Sequence, residues 1–151
     1  MNYPQNYYFT REHEWVNILD DIARIGLTEL ALRELGVVKQ IEIPTIGQTL
    51  KKEQVFGKLQ SERYLTKLIM PFNGVVIEVN TDAYKNINEK YFHDHWLVKV
   101  KISQPVDKSN LLSLDQYKSY KSSNLLGLIK YLNTLNTSSQ MNIPNLDNEK
   151  K

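Results

Sequence analysis

A chain of 151 residues with 41% hydrophobic and 24% charged side chains has the balance of one globular domain, long enough to bury a core without metal or disulfide support. Its net charge of +2 comes from 19 Lys and Arg against 17 Asp and Glu, interspersed so that no basic stripe is available for a phosphate backbone. The absence of cysteine removes disulfides, thiolate metal sites, Fe–S clusters and cysteine nucleophiles together. No stretch reaches the roughly 18 apolar residues of a membrane span, and the N-terminus MNYPQNYYFTREHEW lacks a basic-then-apolar leader. A cytoplasmic protein that binds neither nucleic acid nor membrane is expected.

From residue 13 to 102 the dominant period is two. In IARIGL, Ala23, Ile25 and Leu27 share one face; in VVKQIEIP, Val37, Ile41 and Ile43 oppose Val38, Gln40 and Glu42. Between these strands Thr28 is placed to cap a short helix, with Glu29 in its first turn, Leu30, Ala31 and Leu35 at helical spacing, and Gly36 as the stop. EQVFGKLQ, YLTKLIM, GVVIEVN and WLVKVKI continue the strand pattern, separated by IPTIGQTLKK, SER and PFNG. In the last of them Trp96, Val98, Val100 and Ile102 are expected inward, and Lys99 and Lys101 outward. NTDAYKNINEKYFHDH reads as an irregular loop or a turn of helix. His93 and His95 lie two residues apart there, but His13 is the only other histidine and a metal site generally needs a third or fourth ligand.

After residue 104 the pattern changes to that of amphipathic helices, with Leu111, Leu112, Leu114 and Tyr117, then Leu125, Leu128, Ile129, Leu132 and Leu135. The polar stretch NTSSQMNIPNLDNEKK lacks periodicity and is expected to be a mobile tail over 137–151. The fold expected is mainly β, a flattened antiparallel β-sandwich with one short helix and a C-terminal helical segment. Its domain occupies 1–117, followed by an amphipathic helical extension over 118–136.

FTREHEWV, IARIGLTELALRELGVVKQIEIPTIGQTLKKEQVFGKLQS, PFNGVVIEVN and WLVKVKIS, in this order, resemble the H protein of the glycine cleavage system, within the lipoyl and biotinyl carrier domains. The resemblance covers about residues 8 to 117, ending on LLSLDQY. It implies a non-catalytic β-sandwich, a barrel-sandwich hybrid, that displays a hairpin whose tip lysine carries lipoate. It also implies work with the decarboxylase, aminomethyltransferase and dihydrolipoyl dehydrogenase (P, T and L) proteins of glycine catabolism, or with a lipoate ligase. The family pattern at the tip is Glu-Ser-Val-Lys-Ala, and GKLQSERYLTKLIMPFNG aligns with that region without a gap. Gly57, Ser61, Pro71 and Gly74 match, Arg63 stands where the lysine belongs, Gln60 replaces the acidic residue and Tyr64 the small one. The cleft that shelters the aminomethylated arm in the family falls by resemblance at Glu14, Leu27, Thr28, Ala31 and Leu35.

The exchange at residue 63 matters chemically. A neutral lysine amine can attack an activated lipoyl carboxyl, whereas a guanidinium stays protonated below a pH of about 12 and its lone pairs are delocalised. Lipoate, the cofactor the resemblance implies, is therefore not expected on Arg63. Three readings of that arginine stand: a solvated charge left after the acceptor was lost, a contact to a partner's carboxylate or phosphate, or a carrier that uses Lys67 or Lys58 instead. Lys67 lies four residues on, about 13 Å along an extended strand. The leading reading is an H-protein-like docking or carrier protein. The alternatives are a non-carrier interaction or regulatory paralogue, and a binder of free lipoate.

Overall fold

In the computed structural model of this chain, residues 3, 4, 6–89 and 95–120 are described. Among these residues nine antiparallel strands form two sheets, as the period-two pattern predicts. The larger runs β1 (Tyr7–Phe9), β2 (Glu14–Leu19), β3 (Ile22–Leu27), β9 (Val98–Ile102), β8 (Gly74–Val79) and β5 (Thr49–Leu50) in that spatial order. The smaller sheet is β4 (Val38–Glu42), β6 (Val55–Ser61) and β7 (Leu65–Ile69). Two short helices, α1 (Glu29–Leu35) and α2 (Thr81–Lys85), join strands, and a further helix occupies residues 114–120.

Residues facing inward from both sheets meet in one apolar layer. Val16, Ala23, Ile25, Leu27, Val76, Val98 and Val100 come from the large sheet, Leu59 and Leu68 from the small one. Turn chemistry sets the registers. Arg11, Glu12 and His13 close the β1–β2 hairpin, with His13 at φ 67°, a region that histidine enters more readily than most side chains. Asp20, at φ 56°, turns β2 into β3. Trp15 pairs with Gly26, and any Cβ at that glycine would collide with the indole. Gly57 meets a similar constraint, since a Cβ there would lie 2.5 Å from the Glu42 carbonyl oxygen of β4.

Three details differ from the alternation. A bulge between Val38 and Gln40 shifts the phase of β4, so Val38 turns inward while Val37 and Ile43 are exposed. An extra residue reverses the faces beyond it, which a period-two reading cannot anticipate. Leu111 and Leu112 are buried but lie ahead of the helix; Leu112 forms an isolated bridge with Phe9, exchanging backbone hydrogen bonds of 2.7 and 2.8 Å. Trp96 is half-buried ahead of β9 and lies beneath the Lys99 ammonium, 5.0 Å from the ring centroid. His93, Asp94 and everything beyond residue 120, including the expected extension from residue 121 on and the whole expected tail, lie outside the described residues.

The helix of residues 114–120 is tied to the sheets through polar side chains. Tyr117, fully buried, stacks on Phe9 at 4.8 Å, and its hydroxyl lies 2.7 Å from His13 Nδ1 and 2.9 Å from Thr28 Oγ1. Thr28 Oγ1 also accepts the Ala31 N–H at 3.2 Å, so one hydroxyl caps α1 and joins it to the C-terminal helix. Glu14 reaches across to the small sheet, where Oε2 accepts the Ile69 N–H at 2.9 Å. Thr10 Oγ1 donates to Oε1 of the same carboxyl at 3.4 Å.

Two predictions follow from these contacts. Gly57→Ala must move the β4 backbone or Leu68, and a loss of about 1–3 kcal/mol is expected, seen as a lower urea midpoint with an unchanged slope. Burial pulls the His13 pKa from its usual 6.5 down to about 4. The unfolded chain therefore takes up the proton first, and the His13 contribution to stability is lost as pH falls from about 6.5 to about 4, an effect of about 3 kcal/mol. Glu14, raised above its ordinary value by burial, changes stability in the opposite sense over part of this range. The difference between parent and His13→Asn isolates the histidine. Asparagine tolerates the positive φ, and the variant should gain on the parent by about that amount between pH 7 and pH 4 in denaturant titrations. A constant difference would show that His13 does not carry the acid sensitivity.

Candidate functional site

A cleft opens between α1 and the outer edge of β7. Leu27, Ala31, Leu35 and Leu68 form its apolar walls, and Glu12, His13, Glu34, Thr66 and Lys67 complete the lining. Its volume is about 40 Å³, room for a few waters or one small apolar group. The mixture follows from the local sequence. Leu27 ends β3 facing the core, α1 then turns Ala31 and Leu35 to the same side one helical turn apart, and β7 contributes its inward Leu68 and Thr66.

Of the residues the resemblance marks for this cleft, Leu27, Ala31 and Leu35 line it together. Glu14 and Thr28 stand behind the wall, 1% and 0% exposed, and act through bonds to Ile69, Tyr117 and Ala31. Burial is the main force raising the Glu14 pKa; the nearby Glu12 charge adds to it, while the bonds from Ile69 and Thr10 oppose it. His13, Glu12, Glu34, Thr66 and Leu68 were not marked by sequence reasoning. Only the neighbourhood of Glu14 and Ala31 in the chain could have suggested the first three. Thr66 and Leu68 required knowing that β7 lies alongside α1.

The hairpin β6–β7 carries Arg63 in its turn, exposed. Neither Glu62 nor Arg63 has a positive φ, so this two-residue loop does not use the mirror-image turns that most short hairpins adopt. The buried Ser61 hydroxyl compensates, accepting the N–H groups of Arg63 at 3.1 Å and Tyr64 at 2.9 Å. Glu62 fastens the turn to the start of β4: its N–H donates to the Val37 carbonyl at 2.7 Å and its carboxylate accepts the Val37 N–H at 3.1 Å. Arg63 Nη1 lies 3.4 Å from the Glu34 carbonyl oxygen, in the last turn of α1 and at the cleft rim. Lys67 is exposed in mid-strand, directly across from Lys58 of β6. The cleft, the tip and these two lysines therefore form one continuous surface.

Known proteins share this fold. Residues 7–124 match the family described as Glycine cleavage H-protein. The glycine cleavage system H protein of Bacteroides fragilis is 36% identical over 121 residues, covering 78% of this chain and 96% of its own. That of Staphylococcus epidermidis is 36% identical over 120 residues, covering 78% and 95%. The crystal structure of a glycine cleavage system H protein from Mycobacterium marinum superposes with a TM-score of 0.66 at 26% identity, covering 81% of this chain and 98% of that one. With matched sequence running through both sheets, α1 and the tip hairpin, this chain belongs to the glycine cleavage H-protein family.

Proposed function

We propose that this chain is a docking module of lipoate-dependent glycine decarboxylation that presents an H-protein surface to its enzymes without a lipoyl group on the hairpin tip. The observation that carries this reading is an exposed arginine in the turn between β6 and β7, where the family resemblance puts the acceptor lysine. Amide formation needs a neutral nitrogen with a free lone pair, and a guanidinium offers neither near neutral pH. The tip residues do not fit an amide-linked lipoyl group, so no step through such a group is assigned.

The other cations are poorly placed as substitutes. Lys67 and Lys58 face each other in the middle of the ladder rather than at a turn, so an enzyme that reads a hairpin tip would meet the arginine instead. The cleft walls, the capped helix and the Ser61-built turn remain in place, which supports retention of a surface for the decarboxylase, aminomethyltransferase and dihydrolipoyl dehydrogenase components or for a lipoate ligase. No catalytic role of its own is assigned to the chain.

Co-expression with a lipoate ligase, followed by intact mass measurement, tests the acceptor. The parent should keep its unmodified mass, and Arg63→Lys should gain one lipoyl increment at residue 63. An increment on the parent mapped to Lys67 or Lys58 would restore the carrier role. If Arg63→Lys also remains unmodified, Gln60 and Tyr64 have altered the ligase-facing surface as well. Docking is tested separately by competition: the parent should displace a lipoylated H protein from the aminomethyltransferase component, and failure to compete with any of the three enzymes would end the docking reading.

A further inference from the structure

Among the described residues β7 is the terminal strand of its sheet, with its outer edge open beside the cleft. Hydrogen bonding alternates along an antiparallel pair, and two contacts fix the phase here. Ser61 donates to the Tyr64 carbonyl at 2.8 Å, so Tyr64, Thr66 and Leu68 turn their backbone groups towards β6. Ile69 turns the other way and gives its N–H to Glu14. Leu65 and Lys67 share the orientation of Ile69, and among the described residues no other strand lies along this edge to receive their N–H and C=O groups. Glu14 thus closes the edge at Ile69, and among the described residues Leu65 and Lys67 have no strand partner on that side.

The side chains on either side of this edge describe what would fit. On the outer face, Glu42, Lys58 and Lys67 stand in one cross-strand row, and neither lysine makes an ion pair within 4.0 Å among the described residues. The next residue in that row meets the second of two adjacent cations, which favours a carboxylate. Gln40, Gln60 and Leu65 form the neighbouring row, and Leu65 is 53% exposed, so an apolar neighbour would cover it. Between the rows, on the inner face, a residue opposite Thr66 would point into the cleft walled by Leu27, Ala31, Leu35 and Leu68.

We propose that the open edge of β7 receives an extended segment of a partner protein as an added antiparallel strand, with an acidic residue opposite Lys67, a small apolar residue entering the cleft and an apolar residue opposite Leu65. A second copy of this chain fits less well, because pairing two such edges would gather Lys58, Arg63 and Lys67 from both. The single lysine on a short free edge is also a feature that discourages edge-to-edge association. The acidic preference requires Lys67 to be unmodified, and the strand addition does not depend on whether residue 63 accepts a lipoyl group.

The probe is a labelled pentapeptide, acetyl-Thr-Glu-Val-Leu-Thr-amide, titrated into the full chain by fluorescence anisotropy and by amide NMR. Saturable binding with a Kd below about 1 mM is expected, with the Leu65 and Lys67 amide resonances moving downfield. The same peptide N-methylated at its glutamate and leucine nitrogens should bind at least about tenfold more weakly, since those two N–H groups face the edge. Lys67→Glu, a surface change that leaves β7 paired to β6, should weaken the parent peptide about threefold or more, and a peptide with lysine in place of glutamate should recover the loss. Equal binding of the N-methylated peptide, shifts confined to residues away from β7, no saturation, or concentration-dependent dimerisation of the chain at this edge would each overturn the proposal.

Discussion

The carboxyl group of Glu14 sets how the two sheets meet. It leaves β2 of the large sheet, crosses the core and accepts a hydrogen bond from the backbone of β7 in the small one. A carboxyl in that position is costly to bury, and the cost is offset only by donors held in place around it, here Ile69 N–H and the Thr10 hydroxyl. Those donors are part of the architecture. Thr10 belongs to the β1–β2 turn, where its hydroxyl also accepts the Glu14 N–H at 3.1 Å, so the turn, the carboxyl and the edge of β7 are positioned as a unit. Because Glu14 pairs with Leu27 across β2 and β3, the residue that anchors β7 also registers the floor of the cleft that β7 borders.

The opposite wall of the cleft depends on distant sequence. Thr28 caps α1, yet the same hydroxyl meets Tyr117, and Tyr117 in turn meets His13. The mutual geometry is economical in donors: the Tyr117 hydroxyl can donate to one of its neighbours and accept from the other, which satisfies polar groups that are all withdrawn from water. His13 is kept neutral near neutral pH by its burial, so the network carries no net charge into the apolar cluster of Tyr3, Phe9, Trp15 and Leu112. The helix of residues 114–120 does not line the cleft but braces its α1 wall through the bond between Tyr117 and Thr28.

Much of this was readable from the chain, because alternation and capping are local. Ala23, Ile25 and Leu27 face inward as their spacing predicts, Thr28 and Gly36 bound α1, and the turn at Ser61–Tyr64 falls between two strands with Arg63 exposed. What was not readable depends on neighbours that local pattern does not name. The bulge in β4 reversed a face, Leu112 gave up helical continuity for a bridge to Phe9, and His13 found Tyr117 a hundred-odd positions away. The outer edge of β7 belongs to the same class: a period of two shows that a strand exists, but only the sheet order shows which strands, among the described residues, have a neighbour on one side alone.

The hairpin tip is held by bonds that do not involve the side chain of residue 63. The turn is held by Ser61 through its hydroxyl and by Glu62 through both its backbone and its carboxylate, and the side chain of residue 63 is needed for none of these bonds. Glu62 even takes up space that Gly36 must leave free, since a Cβ there would come within 2.6 Å of its carboxylate. The Arg63 guanidinium instead lies on the last turn of α1, 3.4 Å from the Glu34 carbonyl oxygen, where a cation is favoured. Acyl chemistry and scaffold are separable here because they reside on adjacent but different residues. The surface beside it combines the exposed Arg63 in the turn with the outer edge of β7, which no other strand among the described residues covers.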